Sequence, residues 1–431
     1  MIRRKWLSLC IALVLCLLLL PAAALAAEGD STVYVGSVEL ISTGGASVYA
    51  TTDAATGAVT AQPTFTEADG WNIKWDGSTL TLRNATIKEA EEYSDKSNEK
   101  IAVYRQSGDL NLALVGENTV DAPGNGTAAS CGINLGSGSL TISGEDNGSL
   151  LVYGGDTTNT TKSNSCGIYA YGTITINSGT VTATGESASA ASYGICASGA
   201  VTINGGTVNA ASGEAQGDSC GIYTSNSVTI NGGDVTATAG DAEGSSYGIN
   251  TVNISTSITV NGGTVTATSG EAKGDSCAIF AESQTNADAA SSSVTINGGT
   301  VTASAGNAVG DGWYSCGIKI EGFLTINGGT VIAVAGDAIG AGTKASCGIF
   351  SFKDVAISGG DVTGIGGTGE MSWGIACNDI LTITGSTVVG EGGPLAGTNI
   401  LYSAGINGMD KVEISGGTVT ATCLLYTSCS D

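Results

Sequence analysis

The sequence contains no histidine among its 431 residues. Without an imidazole, the chain cannot hold a Ser-His-Asp triad, a histidine general base or the usual catalytic zinc site. Basic residues are also scarce, with 15 Lys and Arg against 39 Asp and Glu, which gives a formal net charge of −24. Because so acidic a chain repels nucleic acid and anionic membrane surfaces, we expect neither as a partner.

Long apolar runs are equally scarce. The one clear run, residues 6–20, is shorter than the roughly 20 residues that span a bilayer. It follows Arg3, Arg4 and Lys5 and precedes small residues, so residues 1–27 are expected to be a cleaved signal peptide. The mature chain is therefore expected to lack a membrane span and to be secreted or held at the cell surface.

What the sequence does contain is a repeat. The block V/I-T-I-N-G/S-G recurs roughly every 30 residues, and a block such as Cys220-Gly221-Ile222 precedes its copies. Each unit alternates apolar and polar residues with a period of two, which indicates strands. We predict three short strands per unit, for example 221–224, 228–230 and 235–238, with a glycine pair between the last two.

The repeats are expected to stack into a single rod. One coil buries about four aliphatic side chains, worth roughly 6–12 kcal/mol, whereas ordering one coil costs on the order of 40 kcal/mol. A coil therefore needs its neighbours. We predict an all-β, right-handed parallel β-helix of roughly ten to twelve coils over residues 71–422. Residues 28–70 are expected to form a small N-terminal β-rich cap, and residues 423–431 match neither part and are expected to be a truncated or artefactual tail.

The pattern x-G-I followed by V-T-I-N-G-G-T-V-T-A-T-G resembles the repeat of secreted or surface proteins of gut-type bacteria. These are labelled carbohydrate-binding-domain or adhesin-like and fall in the pectate-lyase-like β-helix class. Residues 70–82, G-W-N-I-K-W-D-G-S-T-L-T-L, are similar to the start of such domains. The resemblance covers most of the mature chain and implies the β-helix fold, with a polysaccharide or cell-surface glycan as partner. The same scaffold hosts many activities, so the function depends on individual residues.

Stacking turns each sequence position into a column of side chains. The asparagine after the inward isoleucine is expected to form a structural ladder, because amides at strand spacing can hydrogen-bond one to the next. This ladder would satisfy buried polar groups along the turn, with ligand binding as the alternative. Its members are Asn177, Asn204, Asn231, Asn261, Asn297 and Asn327.

A second column is the predicted binding face. The residue after the isoleucine of the C-G-I block is expected to face outward, where aromatic rings and amides suit stacking on sugars and bonding to their hydroxyls. Ordinary strand aromatics, or packing under loops, are the alternative. The candidate carbohydrate-binding residues are Tyr169, Tyr223, Phe280, Phe350, Asn134 and Asn250, with Lys319 in the same column.

Cysteines form a third column. They lie two residues before the same isoleucine and are expected to share its inward face as small, reduced residues. Disulfides between adjacent coils, among Cys277, Cys316 and Cys347, are the alternative. The column consists of Cys166, Cys220, Cys277, Cys316 and Cys347.

Acidic residues form a fourth column, in the variable loop. Calcium would relieve the repulsion between stacked carboxylates, but the loop lacks the nine-residue calcium-binding turn pattern. We therefore expect solvated carboxylates and no metal or cofactor. We expect this column to consist of Glu186, Glu214, Asp241, Glu271 and Asp337, interrupted by Asn307.

These patterns favour a non-enzymatic secreted or cell-surface protein that is carbohydrate-binding or adhesin-like, with no catalytic residues. One alternative is a passive spacer that carries a C-terminal domain. Another is a polysaccharide lyase or glycosidase, which would need converging carboxylates, usually with a basic residue nearby. The acidic residues are scattered one per loop and Lys and Arg are nearly absent from the coils, so the enzyme is the weaker expectation.

Overall fold

The computed structural model describes residues 31–93, 96–124, 129–158, 162–283, 292–310, 312–340, 344–397 and 400–423. The predicted signal peptide and residues 424–431 of the predicted tail lie outside these ranges. Within the described ranges there is no helix long and apolar enough to cross a membrane.

The N-terminal part consists of antiparallel strands. This pairing continues past residue 70, because Ile73–Trp75 pairs antiparallel with Val48–Thr52 and with Thr79–Arg83. Thr79–Arg83 then pairs parallel with the next long strand, so the change to parallel stacking occurs there. The antiparallel strands are Ser31–Val35, Val38–Ser42, Val48–Thr52, Val59–Ala61, Ile73–Trp75 and Glu91–Tyr93.

The remainder is a right-handed parallel β-helix of about 11 turns, which confirms the predicted fold class. Each coil contributes its first strand to what we call the first sheet, and successive strands pair in register, as Ile195 does with Ile168 and Ile222. The first sheet consists of Lys96–Arg105, Ala129–Leu135, Ser165–Ala170, Ser192–Ala197, Ser219–Thr224, Ser246–Val252, Ser276–Glu282, Tyr314–Ile320, Ala345–Ser351, Met371–Cys377 and Tyr402–Gly408.

The second and third strands of each coil form two further parallel ladders, the second and third sheets. Leu110–Ala122 and Leu140–Gly154 run through both. The second sheet also holds Thr79–Arg83, Ile174–Ile176, Val201–Ile203, Val228–Ile230, Ser257–Val260, Ser293–Ile296, Phe323–Ile326, Val355–Ile357, Ile380–Ile383 and Lys411–Ile414. The third also holds Thr86–Ile87, Thr180–Gly185, Thr207–Ser212, Asp234–Thr238, Thr264–Thr268, Thr300–Ser304, Thr330–Val334, Asp361–Ile365, Ser386–Gly392 and Gly417–Cys423.

Aliphatic side chains of all three sheets fill one continuous core. In the coil that starts at Ser219, the inward residues Ile222, Val228, Ile230 and Val235 are buried. Each is aligned with a similar residue of the next coil, so the period-two pattern of each strand becomes an apolar column along the rod. The loop after the third strand is ordered too, since single parallel bridges join the loop alanines of successive coils: Ala188, Ala215, Ala242, Ala272, Ala308 and Ala338.

Candidate binding site on the outer face of the first sheet

A glycine interrupts the in–out alternation of the first sheet. In the Cys220-Gly221-Ile222 block, Ile222 belongs to the main core, whereas Cys220 belongs to a separate cluster on the outer face. Gly221 also faces inward, because a Cβ there would lie 2.8 Å from the Thr238 nitrogen of the third sheet. Two consecutive residues therefore point inward. The prediction that the cysteines share the face of the isoleucine is wrong for this reason.

The predicted outward column does lie on the outer face, but it is not exposed as predicted. Phe280 and Phe350 are 3% and 2% exposed, and Asn134, Asn250 and Lys319 are also buried. Tyr169 and Tyr223 are half-buried. The reason is that this column packs side by side with the cysteine column, so that the rings cover the small thiols.

The two columns complement each other in size. Where one position holds a large side chain, its partner on the same strand is small: Cys220 accompanies Tyr223, Tyr193 accompanies Cys196, and Trp373 accompanies Ala376. Rings of neighbouring coils then meet, with centroid separations of 5.3 Å for Tyr193 and Tyr223, 5.4 Å for Tyr247 and Phe280, and 5.5 Å for Phe350 and Trp373. The outer face is thus a second packed layer and not a bare aromatic strip.

The described cysteines are free thiols, and all but Cys423 are buried. Burial raises the pKa of Cys220 and Cys277 well above the ordinary value. Because the thiolate is the reactive form, these buried thiols are held in an inert state.

One gap in the outer layer forms a cleft of about 280 Å³. The coil that contains Cys131 places an asparagine, Asn134, where the coils on either side place Tyr104 and Tyr169. Since an amide is much smaller than a phenol ring, the column opens at this point. The cleft is lined by Glu99, Ala129, Ser130, Asn134, Asn164, Cys166, Tyr169, Tyr193 and Cys196.

Polar groups converge on this cleft. The side-chain amide nitrogen of Asn134 donates to Glu99 Oε1 over 2.7 Å. The carbonyl oxygen Oδ1 of Asn134 is buried and accepts no hydrogen bond from the residues that the structure describes. Burial raises the pKa of Tyr169, whose hydroxyl lies 3.5 Å from Ser198 Oγ, so the phenol stays protonated at neutral pH. The cleft therefore offers a ring, an acceptor that lacks a partner, a second amide and a carboxylate.

Farther along the same face, Lys319 takes the place of an aromatic ring. Its ammonium group lies 2.7 Å from Asp275 Oδ2 and 4.4 Å from the ring centroids of both Phe280 and Tyr314. Burial raises the pKa of Asp275, but the charge and hydrogen bond of Lys319 and the amides of Trp313 and Tyr314 outweigh it, so this pKa lies below its usual range. A buried cation is thus held by one carboxylate and two ring faces.

The predicted asparagine ladder lies at the surface. Each amide nitrogen donates to the carbonyl oxygen of the preceding coil's asparagine over 2.8 Å, from Asn204 to Asn177 and onward as far as Asn327 to Asn297. All six side chains are exposed, so the expectation that the ladder satisfies buried groups is wrong. It orders the outer edge of the turn instead.

The acidic column in the variable loop does not include Glu186, which was predicted to belong to it. The bridge between Ala188 and Ala215 aligns Ser187, and not Glu186, with Glu214. Glu214, Asp241 and Glu271 line a groove of about 430 Å³ beside the alanine ladder. Among the described residues, no three His, Cys, Asp or Glu side chains converge as a metal site would require.

Of the predicted carbohydrate-binding residues, the structure brings Asn134 and Tyr169 together in one cleft. Tyr223, Phe280, Phe350 and Asn250 do not line it. Sequence reasoning missed three lining residues: Glu99 on the preceding strand, Asn164 just before the following strand, and Tyr193 on the strand after that. Each of the three lies on a different coil from Asn134, so they could be predicted only from the strand register between coils.

Comparison with known proteins agrees with this architecture. A family model described as a beta helix repeat matches residues 174–195, 201–222, 228–249, 258–279, 294–318, 324–343 and 412–423. Most matched segments start at a second-sheet strand and end in the first-sheet strand of the next coil. No curated protein and no solved structure matches the chain. The in-register ladders and the repeat match together define the chain as a parallel β-helix repeat protein.

Proposed function

We propose that this protein is a non-enzymatic, secreted or cell-surface β-helix that binds carbohydrate through the Asn134–Tyr169 cleft. The observation that carries the proposal is the buried carbonyl oxygen of Asn134, a residue of the cleft lining; this oxygen lacks a hydrogen-bond donor among the described residues. A buried acceptor without a donor costs about 1–3 kcal/mol. A sugar hydroxyl that enters the cleft would remove this cost.

The other lining groups suit the same ligand. The half-buried ring of Tyr169 offers an apolar surface to a pyranose ring, and the Asn164 amide can both donate and accept hydrogen bonds. The carboxylate of Glu99 can accept hydrogen bonds from sugar hydroxyls, and the net charge of −24 disfavours an anionic polymer. The ligand class is therefore a neutral or amino-sugar glycan, and not a polyuronate.

A glycan array with the purified protein, followed by titration of the best ligand, tests the proposal. Asn134→Ala should weaken binding about threefold to tenfold, since it removes one hydrogen-bonding group. Tyr169→Ala should weaken it further, while Tyr169→Phe keeps the ring and most of the affinity. Tyr171→Ala, an exposed tyrosine outside the cleft, is the matched control.

Two results would contradict the proposal. If the wild-type protein binds no glycan, the passive spacer becomes the better account of the chain. If binding persists unchanged in both Asn134→Ala and Tyr169→Ala, the protein binds carbohydrate elsewhere and the cleft is not the site.

One observation favours a glycosidase as a second candidate. Glu282 and Glu321 directly follow the register partners Ala281 and Ile320, so their carboxyl groups lie on neighbouring coils. Burial, and then the charge of Glu321, raises the pKa of Glu282, as a general acid requires. Reducing-sugar release by the wild type, abolished in Glu282→Gln, would support this candidate. Absorbance of unsaturated products from polyuronates would indicate a lyase instead.

A further inference from the structure

Trp313, just before a strand of the first sheet, has a largely exposed side chain. Its side chain is 66% exposed, whereas Trp71, Trp75 and Trp373 are all buried. An exposed indole combines a large apolar ring with a polar N–H group, and such side chains are enriched at interaction sites, so the surroundings of this ring indicate what it could bind. Trp313 belongs to neither of the two recurring sequence blocks.

The backbone that carries Trp313 is firmly anchored. Oδ1 of Asp275 accepts hydrogen bonds from the amides of Trp313 and Tyr314, over 2.8 and 3.1 Å. The carbonyl oxygen of Trp313 accepts from the Ala345 amide over 2.9 Å. The ring is therefore displayed on backbone that both neighbouring coils hold, and little conformational entropy would be lost when it binds a ligand.

Two buried lysines support this anchor. Lys344 is 1% exposed, and its ammonium group donates to the carbonyl oxygens of Gly310 and Gly312, just before Trp313. Lys319 holds Asp275 from the other side through the buried ion pair. Burying an ammonium group is costly unless it is hydrogen-bonded. Both lysines meet this need with groups that hold the loop before Trp313, so they fix the geometry of that loop.

A shallow polar cleft of about 500 Å³ is lined by Gly312, the residue before Trp313. Its polar groups are the Glu243–Lys273 ion pair, the hydroxyl of Ser245 and the carboxylate of Asp275, which is already bonded to Lys319. An apolar ring beside several hydrogen-bonding groups is the combination that a pyranose needs, since its faces are apolar and its edges carry hydroxyls.

We infer that Trp313 is the stacking platform of a second carbohydrate-binding site, which makes the rod a two-site receptor for a long glycan. The inference rests on the proposed function of the Asn134–Tyr169 cleft. Five register steps along the first sheet separate the coil of Tyr169 from the coil of Trp313, through Cys196, Tyr223, Asn250, Phe280 and Lys319. At ~4.8 Å per coil the two sites are about 24 Å apart along the rod.

This separation has a measurable consequence. A polymer that reaches both sites binds the second one intramolecularly, and its apparent affinity can exceed that of a single site by about a hundredfold or more. An oligosaccharide too short to span the gap gains nothing. The net charge of −24 argues against insertion of this ring into an anionic lipid surface.

The test compares a short oligosaccharide with a long polymer of the same sugar, taken from the neutral and amino-sugar glycans bound by the wild type. In Trp313→Ala, polymer affinity should fall tenfold or more towards that of the oligosaccharide, and the affinity of the Asn134–Tyr169 cleft for the oligosaccharide should not change. Trp313→Phe should retain most of the polymer affinity. Tyr171→Ala, which removes an equally prominent ring at 61% exposure, should behave as wild type.

Fluorescence gives a direct second readout. Trp313 is the one exposed indole within the described ranges, so acrylamide should quench its emission in the free protein, and the bound polymer should protect it. Wild-type polymer affinity in Trp313→Ala, or unprotected emission at saturating polymer, would overturn the second site while the proposed cleft stands. Failure of the wild type to bind any glycan would overturn both. Binding to phosphatidylcholine vesicles that is lost in Trp313→Ala would also overturn the sugar assignment.

Discussion

The ammonium group of Lys319 and the carboxylate of Asp275 lie 2.7 Å apart on the outer face of the first sheet, 44 residues apart in the chain. Both side chains are largely buried, and Phe280 and Tyr314 cover the cation. Asp275 in turn accepts a hydrogen bond from the backbone amide of Trp313. The pair therefore links the packed outer layer to the exposed indole, and it can be tested by substitution and by pH.

Breaking this ion pair should be strongly destabilising. Lys319→Met leaves a carboxylate buried without its counter-ion, and the expected loss is about 3–5 kcal/mol. The double variant with Asp275→Asn removes both charges but keeps an oxygen for the Trp313 amide, so it should be more stable than Lys319→Met alone. Denaturant unfolding of the wild type, the two single variants and the double variant measures the difference. Equal stability of Lys319→Met and the wild type would show that the pair is solvated.

The same pair predicts a pH dependence in acid. The pKa of Asp275 is lowered in the folded state, so its contribution to stability is present above the unfolded value of about 3.9 and is lost as the pH falls through the folded value. Burial lowers the pKa of Lys319, but the charge and hydrogen bond of Asp275, together with the nearby cysteines, outweigh it and raise this pKa, so the contribution of Lys319 is lost only above the unfolded value of about 10.4. The Tm of Asp275→Asn, measured from pH 7 to 2, should therefore fall less than that of the wild type.

Glu282 should show the opposite sign. Burial and then the charge of Glu321 raise its pKa, so its ionised form destabilises the folded state as the pH rises above the unfolded value of about 4.3. Glu282→Gln should therefore raise the Tm at pH 7, and the gain should disappear below about pH 4. A lower Tm at pH 7 would instead indicate that the ionised carboxylate is stabilised by a partner.

The buried thiols should resist modification. Ellman's reagent should react with Cys423 in the native protein, because it is the exposed member of the described set, while Cys277, Cys316 and Cys347 should react only after denaturation. In Cys423→Ser, the fast phase of the reaction with Ellman's reagent should disappear, which would assign that phase to Cys423. Rapid native reaction in that variant at any of the three buried positions, located by mass spectrometry, would contradict the packing of the outer layer.

The glycine that breaks the alternation should not tolerate a side chain. A Cβ at Gly221 would lie 2.7 Å from the Gly248 oxygen and 2.8 Å from the Thr238 nitrogen, so Gly221→Ala forces backbone apart and should cost about 1–3 kcal/mol. Gly205→Ala is the control, since its Cβ would meet only the Asn177 oxygen, at 3.4 Å. Comparable unfolding midpoints for the two variants would show that the first and third sheets need not approach so closely.

The repeat by itself determined the fold. Alternation at period two in units of about thirty residues requires strands that bury one face, and units too small to fold alone must stack, so Ile222 and Val228 become parts of apolar columns. The same stacking determined that Asn177 and Asn204 would hydrogen-bond. These features depend on residues that recur from coil to coil, which is why periodicity reveals them.

The candidate sites were decided by tertiary structure. The period-two pattern cannot show that Gly221 points inward, because this depends on how closely the third sheet approaches, and so the faces of the cysteines were assigned wrongly. The Asn134 cleft depends on Glu99 and Tyr193 of other coils. Trp313 is held by Asp275 from 38 residues away. Repetition therefore determines the scaffold, whereas each site arises where single coils depart from the repeat and meet in space.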